Sequence, residues 1–252
     1  PKCPPQSQTS GNASFIEMFG LNAFKLFANY KMALFFIFSM LLGASLQLTN
    51  MYGDVFLDEF KNVPIYADSF VVKYSTIIMS ISQMSETLFI LTIPFFLKSL
   101  GIKKVMLLSM FAWVLRFALF GFGDPAGGLW MIILSCIVYG MAFDFFNISG
   151  ALFVETQCHP SMRASAQGLF MMMTNGFGTI IGSFISGKLI AAYFTVEKTV
   201  VENGQTITHL EKEWPDIWIT FAAYSLVVAI LFAILFKHKH DRAALENANL
   251  GH

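Results

Sequence analysis

Six long apolar runs constrain this chain more than any other feature: Met32–Leu57, Val71–Leu97, Val105–Phe122, Leu129–Val154, Met162–Phe194 and Ile217–Phe236. A helix needs ~20 mostly apolar residues to cross ~30 Å of hydrocarbon. In lipid every backbone polar group must be satisfied within the protein, which a helix does by itself. The fifth run is long enough to tilt or to protrude at one end. Composition agrees with this reading. Charged residues make up 13% of the 252 residues, about half of the roughly 25% typical of globular chains. Hydrophobic residues reach 56%, with a mean hydropathy of +0.62. The composition excludes a secreted domain or a disordered chain, and a net charge of zero excludes a nucleic-acid binder. Cys3, Cys136 and Cys158 are too scattered for a metal cluster or a disulfide framework. The expected fold class is all-α: a polytopic membrane protein with six transmembrane helices.

Before the first run, residues 1–30 open on a Pro-, Ser- and Gln-rich linker, and the chain begins with Pro rather than Met, so upstream sequence is expected. Phe15, Ile16, Phe19, Ala23, Phe24 and Phe27 recur there at helical spacing and predict an interfacial amphipathic helix. Residues 31–238 would form the membrane unit and residues 239–252 a tail. With six spans, both ends and two of the loops share one side. That side carries Lys2, Lys25, Lys31, Lys98, Lys103, Lys104, Arg163, Lys237, Lys239 and Arg242, against Lys61, Lys73, Lys198 and Lys212 on the other. The positive-inside rule then makes both ends cytoplasmic.

Polar residues inside the spans are expensive and therefore informative. A charge at mid-membrane costs ~2.5–3.5 kcal/mol even on the lenient insertion scale, so it normally faces the bundle interior or a wet cavity. Glu86 lies near the middle of the second run, Asp144 near the middle of the fourth, and Arg116 well inside the third. Gly43, Gln47, Asn50 and Asp54 form one helical stripe, and Ser75, Met79, Ser82, Gln83 and Glu86 another. In the fourth run Cys136, Gly140, Phe143, Asp144 and Asn147 share a face, with Tyr139 one turn from Phe143. Amides exchange two-way hydrogen bonds, aromatics stack, and carboxylates take hydroxyls or a proton. This combination suits a polar heterocyclic or sugar-like ligand. The competing reading is that Gln and Asn only link helices, a role worth ~0.6 kcal/mol on average.

Arg116 is expected to pair structurally with a carboxylate, and Lys188 to snorkel without a function. In the fifth run Gly178/Gly182 and Ser183/Gly187 are small-residue pairs that let helix backbones approach closely. No nucleophile–base pair, phosphate-cradling loop or metal-ligand spacing is present in the sequence, and no cofactor is expected. The five histidines lie in loops or near the ends and receive no role.

The stretches VYGMAFDFFNISG (residues 138–150), RASAQG (163–168), MMMTNGFG (171–178), GASLQLTN (43–50), SQMSE (82–86) and WVLRFAL (113–119) resemble the nucleoside:proton symporters of the major facilitator superfamily. The resemblance runs from about Phe15 to His238. RASAQG-like turns recur across the superfamily, whereas FDFFNISG together with MTNGFG is narrow. The resemblance implies twelve spans in two halves, of which this chain is the C-terminal six, and alternating access around a central cavity. It implies that Gln47, Asn50, Gln83, Glu86, Tyr139, Phe143 and Asp144 bind substrate. Asp144 is the first choice for proton coupling and Glu86 the second. Glu155 and Arg163 flank a turn where an ion pair or gate is expected.

The expected partners are a nucleoside, protons, the lipid bilayer of a bacterial inner membrane and the missing N-terminal half, with the complete protein a monomer. Three alternatives stay open: a related symporter for sugars or oligosaccharides, a membrane-embedded enzyme, and a non-transporting six-helix protein.

Overall fold

A computed structural model describes residues 21–202 and 205–238, with only the backbone course given over 198–209. Phe15, Ile16, Phe19 and the tail after His238 lie outside the described residues. The first described element is a 3-10 helix, Leu21–Ala28, whose Ala23 is buried and whose Phe27 ring meets Phe36 at 5.3 Å. Phe24 stays exposed, so this short helix has one packed and one open side.

Asn29 then caps helix α1 (Tyr30–Glu59): its side-chain oxygen accepts from the backbone amides of Lys31 and Met32 at 3.0 and 3.3 Å. After a 3-10 turn at Phe60–Asn62 and a one-turn helix at Phe70–Lys73, α2 runs Ser75–Leu100. Gly101 ends α2 at φ 78°, a left-handed conformation open to glycine, and α3 (Ile102–Phe122) starts at the next residue. Asp124 orders the following turn by accepting from the amides of Ala126 and Gly128. Helix α4 (Leu129–Gln157) then leads into the turn His159–Pro160.

The fifth span is not one regular helix. It comprises α5 (Arg163–Met171), a π-helical segment Met172–Gly178 and α6 (Thr179–Tyr193). Strands β1 (Thr195–Glu202) and β2 (Gln205–Lys212) follow as an antiparallel pair, with Thr195 opposite Lys212 and Glu202 opposite Gln205. The last span, α7, is Trp214–Leu235, with Pro215 in its first turn where a missing amide costs nothing. Six helical stretches among the described residues are thus long and apolar enough to cross a membrane. The helical fold agrees with the sequence reading, which did not place the hairpin.

Aromatic packing holds the helices together. Phe35 meets Phe153 at 4.8 Å and Phe170 at 5.1 Å, tying α1, α4 and α5. Phe56, Phe120 and Trp218 form a second cluster between α1, α3 and α7. Much of the phenylalanine in the chain, 28 residues in all, is therefore core. Other apolar side chains face outward: Leu91 is 76% exposed and Phe95 71% on α2, and Ile180 is 66% exposed on α6.

Glycine permits two close helix crossings. A Cβ on Gly43 of α1 would land on the Thr174 carbonyl of the π segment, and one on Gly182 would lie 2.8 Å from the Ala44 Cα. A Cβ on Gly140 of α4 would lie 2.6 Å from the Glu86 backbone nitrogen of α2. The Gly178/Gly182 pair thus packs on α1, while a Cβ on Gly187 would meet open space. The glycine at the Ser183/Gly187 pair makes no close approach.

Candidate functional site

The close α2–α4 crossing brings most of the expected residues together. Ser85 of α2 donates to the Cys136 carbonyl at 3.2 Å and accepts from the Gly140 amide at 3.1 Å, which fixes the depth of Glu86 against α4. The Tyr139 and Phe143 rings stack with centroids 5.9 Å apart and planes 1° from parallel. Trp113 of α3 meets Tyr139 edge-on at 5.7 Å. The half-buried Glu86 carboxylate faces the Tyr139 hydroxyl and is within electrostatic range of Asp144. Asp144 is 7% exposed, and its Oδ2 makes no hydrogen bond among the described residues. Asn147 turns back on its own helix and donates to the Phe143 carbonyl at 3.1 Å.

Gln47 stands apart from that cluster. It lines an open groove of about 570 Å³ between α1 and the fifth span, with Asn175, Thr179, Ile180, Ser183 and Phe184. Asn50 on the same stripe is exposed, and so is Gln83, one turn before Glu86. None of the side chains of Gln47, Asn50 and Gln83 makes a hydrogen bond among the described residues. A helix-linking amide would have a partner within the bundle. These amides keep donors and acceptors free on the face of the unit.

Sequence reasoning did not find the far wall of the groove. Asn175 sits in the π segment and Thr179 and Ser183 follow at four-residue steps, but isolated Ser and Thr in a span usually bond to their own backbone. The Thr179 and Ser183 hydroxyls do so, to the carbonyls of Asn175 and Thr179 at 2.7 and 2.8 Å. The usable signal was Gly-rich MTNGFG, a poor α-helical stretch, and π segments often occur at functional sites.

Arg116 departs from expectation. Fully buried on α3, it makes no salt bridge among the described residues. The α4 backbone and two aromatic rings hold it instead, because the carboxylates of α2 and α4 lie beyond ion-pair distance. The expected Glu155–Arg163 pair is present at 3.5 Å, with both side chains partly exposed. Lys188 lies 4.4 Å over the Phe184 ring. No group of three or more metal-ligating side chains exists among the described residues.

This architecture defines a polytopic helical membrane protein with unpaired amides, carboxylates and an aromatic stack at membrane depth. The model of the family described as "Nucleoside H+ symporter" matches residues 1–241, and the chain belongs to that family. It is 53% identical over 249 residues to nucleoside permease NupG of Escherichia coli K12, covering 98% of this chain and 56% of that protein. It is 49% identical to the xanthosine permease of the same organism, over the same shares. A crystal structure of nucleoside transporter NupG, in mutant form, superposes with a TM-score of 0.80 at 53% identity, covering 92% of this chain and 55% of that one. A second NupG structure gives a TM-score of 0.77. The chain spans about half the length of the relatives it matches.

Proposed function

We propose that this chain is the C-terminal six-helix half of a proton-coupled nucleoside importer of the bacterial inner membrane, working by alternating access. The carrying observation is that Gln47, Asn50 and Gln83 leave their amides unpaired while Tyr139 and Phe143 stack beside Glu86 and Asp144. On this reading residues 31–238 form the transport half, residues 1–30 the link to the other half and residues 239–252 a tail, with both ends cytoplasmic. The complete protein acts as a monomer.

A nucleoside joins a flat heterocycle to a hydroxyl-rich sugar. The Tyr139–Phe143 pair offers the heterocycle an aromatic wall. Gln47, Asn50 and Gln83 offer donors and acceptors to both parts, and Glu86 accepts from ribose hydroxyls. Asp144 carries the coupling proton. It is nearly buried, and one of its oxygens has no donor and no cation beside it, which suits a group that gains and loses a proton during transport. The exposed faces of α2 and α6 are where lipid and the other half meet this unit.

Aromatic walls and carboxylates would also serve a sugar, but the named permeases favour nucleosides. The test is labelled-uridine uptake in a bacterium lacking its own nucleoside carriers, by this chain joined to its native upstream half. Excess unlabelled nucleosides should suppress uptake at least tenfold and sugars should not. Suppression by a sugar alone would overturn the nucleoside reading.

A further inference from the structure

Arg116 is the most costly buried group in the described structure that the proposed mechanism leaves unused. Its Nη1 donates to the Ser135 carbonyl of α4 at 2.7 Å, and its Nε to Thr49 Oγ1 of α1 at 3.4 Å. Ser135 Oγ returns a bond to the Arg116 carbonyl at 3.0 Å. The guanidinium carbon lies 4.5 Å over the Tyr139 ring and 4.9 Å over that of Phe120. Nη2 makes no hydrogen bond, and no carboxylate among the described residues is at ion-pair distance.

Burying a cation without an ion pair is expensive. An apolar side chain of similar length would fill the same space without that cost. Packing alone therefore does not account for an arginine here. The groups facing it are Glu86 from α2, Cys136 and Tyr139 from α4, Thr49 from α1 and Phe120 from its own helix. Two of these, Tyr139 and Glu86, belong to the candidate site. Tyr139 is gripped on a cation–π contact and aligned parallel to Phe143. Glu86 is set against α4 by the close crossing, its backbone nitrogen 2.6 Å from where a Cβ on Gly140 would stand, and it faces the Tyr139 hydroxyl within the field of the guanidinium.

We propose that Arg116 is a positioning residue for ligand recognition, one that holds the Tyr139 ring in register with Phe143 and supplies the counter-charge of Glu86 from behind the binding face. This rests on the nucleoside reading above. The residue acts through its two neighbours and does not itself touch the ligand.

The test is equilibrium binding of labelled uridine to the purified full-length transporter containing this chain, with apparent Tm measured in parallel. Arg116→Gln is expected to raise the Kd at least tenfold, and Arg116→Lys, which keeps the charge, to recover part of that loss. In a Glu86→Gln background, which itself weakens binding, Arg116→Gln is expected to add less than a twofold loss. A merely structural arginine would give the same fold loss in both backgrounds with a matching fall in Tm, and that outcome overturns the proposal. So does an unchanged Kd in Arg116→Gln. If Arg116→Gln does not insert, Thr49→Val removes only the Nε acceptor. It should then raise the Kd about threefold with Glu86 present and not with Gln there; an equal effect in both, or none, overturns the proposal. If the unsubstituted protein binds no uridine, the nucleoside reading falls and takes this inference with it. Normal binding with indifferent Arg116 variants defeats the inference alone.

Discussion

Asp144 and Phe143 are adjacent in sequence yet do different work on the proposed account, because successive helix positions point about 100° apart. Asp144 points to the interior of the unit, whereas Phe143 is half-buried against Tyr139. Asp144→Asn keeps the shape and removes the titratable group. It is expected to abolish uphill accumulation while leaving uridine exchange across the membrane within about threefold, read by comparing active uptake with counterflow. Phe143→Ala removes one face of the stack. Base–aromatic stacking is worth ~1–3 kcal/mol, so uridine binding should weaken about five- to 150-fold, measured as Kd on the purified transporter. At this scale much was legible in the sequence, since mid-membrane carboxylates and amides are rare and conspicuous by cost. The environment of Arg116 was not, because a backbone carbonyl and a ring face leave no residue-type signal. Nor was the division of the amides, with Gln47 in a groove of its own, because spacing gives the face of a helix but not its neighbour across the gap.

Among the elements, the six spans follow from apolar length alone, and their ends fall within a few residues of the sequence reading except at α2. There the run was expected to begin at Val71, but the chain breaks at Tyr74 (φ −126°, ψ 41°) between the one-turn helix and α2. The π segment was hidden because an extra residue in a turn changes no hydropathy. The hairpin was hidden because its strands are polar and carry no apolar run of spanning length. Its signals were present all the same: alternation in TVEKTVVE and QTITHLEK, joined by Asn203–Gly204. Glu59, at the end of α1, anchors the hairpin base. It pairs with Lys212 and accepts from the Trp214 indole nitrogen at 2.7 Å. Glu59→Ala is expected to destabilise this end by about 1–2 kcal/mol, as loss of hydrogen bonds to a charged group does, and to speed proteolysis within residues 195–212. The glycine crossings give a sharper contrast. Gly43→Ala drives a methyl into the Thr174 backbone, whereas Gly187→Ala meets nothing. Overpacking costs ~1–3 kcal/mol, so the first should lower the apparent Tm of the purified protein and the second should leave it unchanged or raise it slightly.

As a whole, the molecule is a unit with two kinds of outer surface. The apolar faces of α2 and α6 carry Leu91, Phe95, Ile180 and Phe184 outward, while the amides of Gln47, Asn50 and Gln83 emerge unpaired nearby. Aliphatic and aromatic surface can be solvated by lipid, but unpaired amides at membrane depth need water, ligand or polar protein opposite them. A second half that encloses a wet cavity meets both needs. It would also explain why the named relatives are nearly twice as long as the segment they share with this chain. Such an assembly would drive nucleosides uphill with protons. The most direct measurement is labelled-uridine uptake by the full-length protein in carrier-deficient cells, with and without a protonophore. Accumulation above the external concentration, abolished by the protonophore, is expected. Accumulation that survives the protonophore, or uptake that never exceeds equilibrium in energised cells, would contradict proton-driven transport.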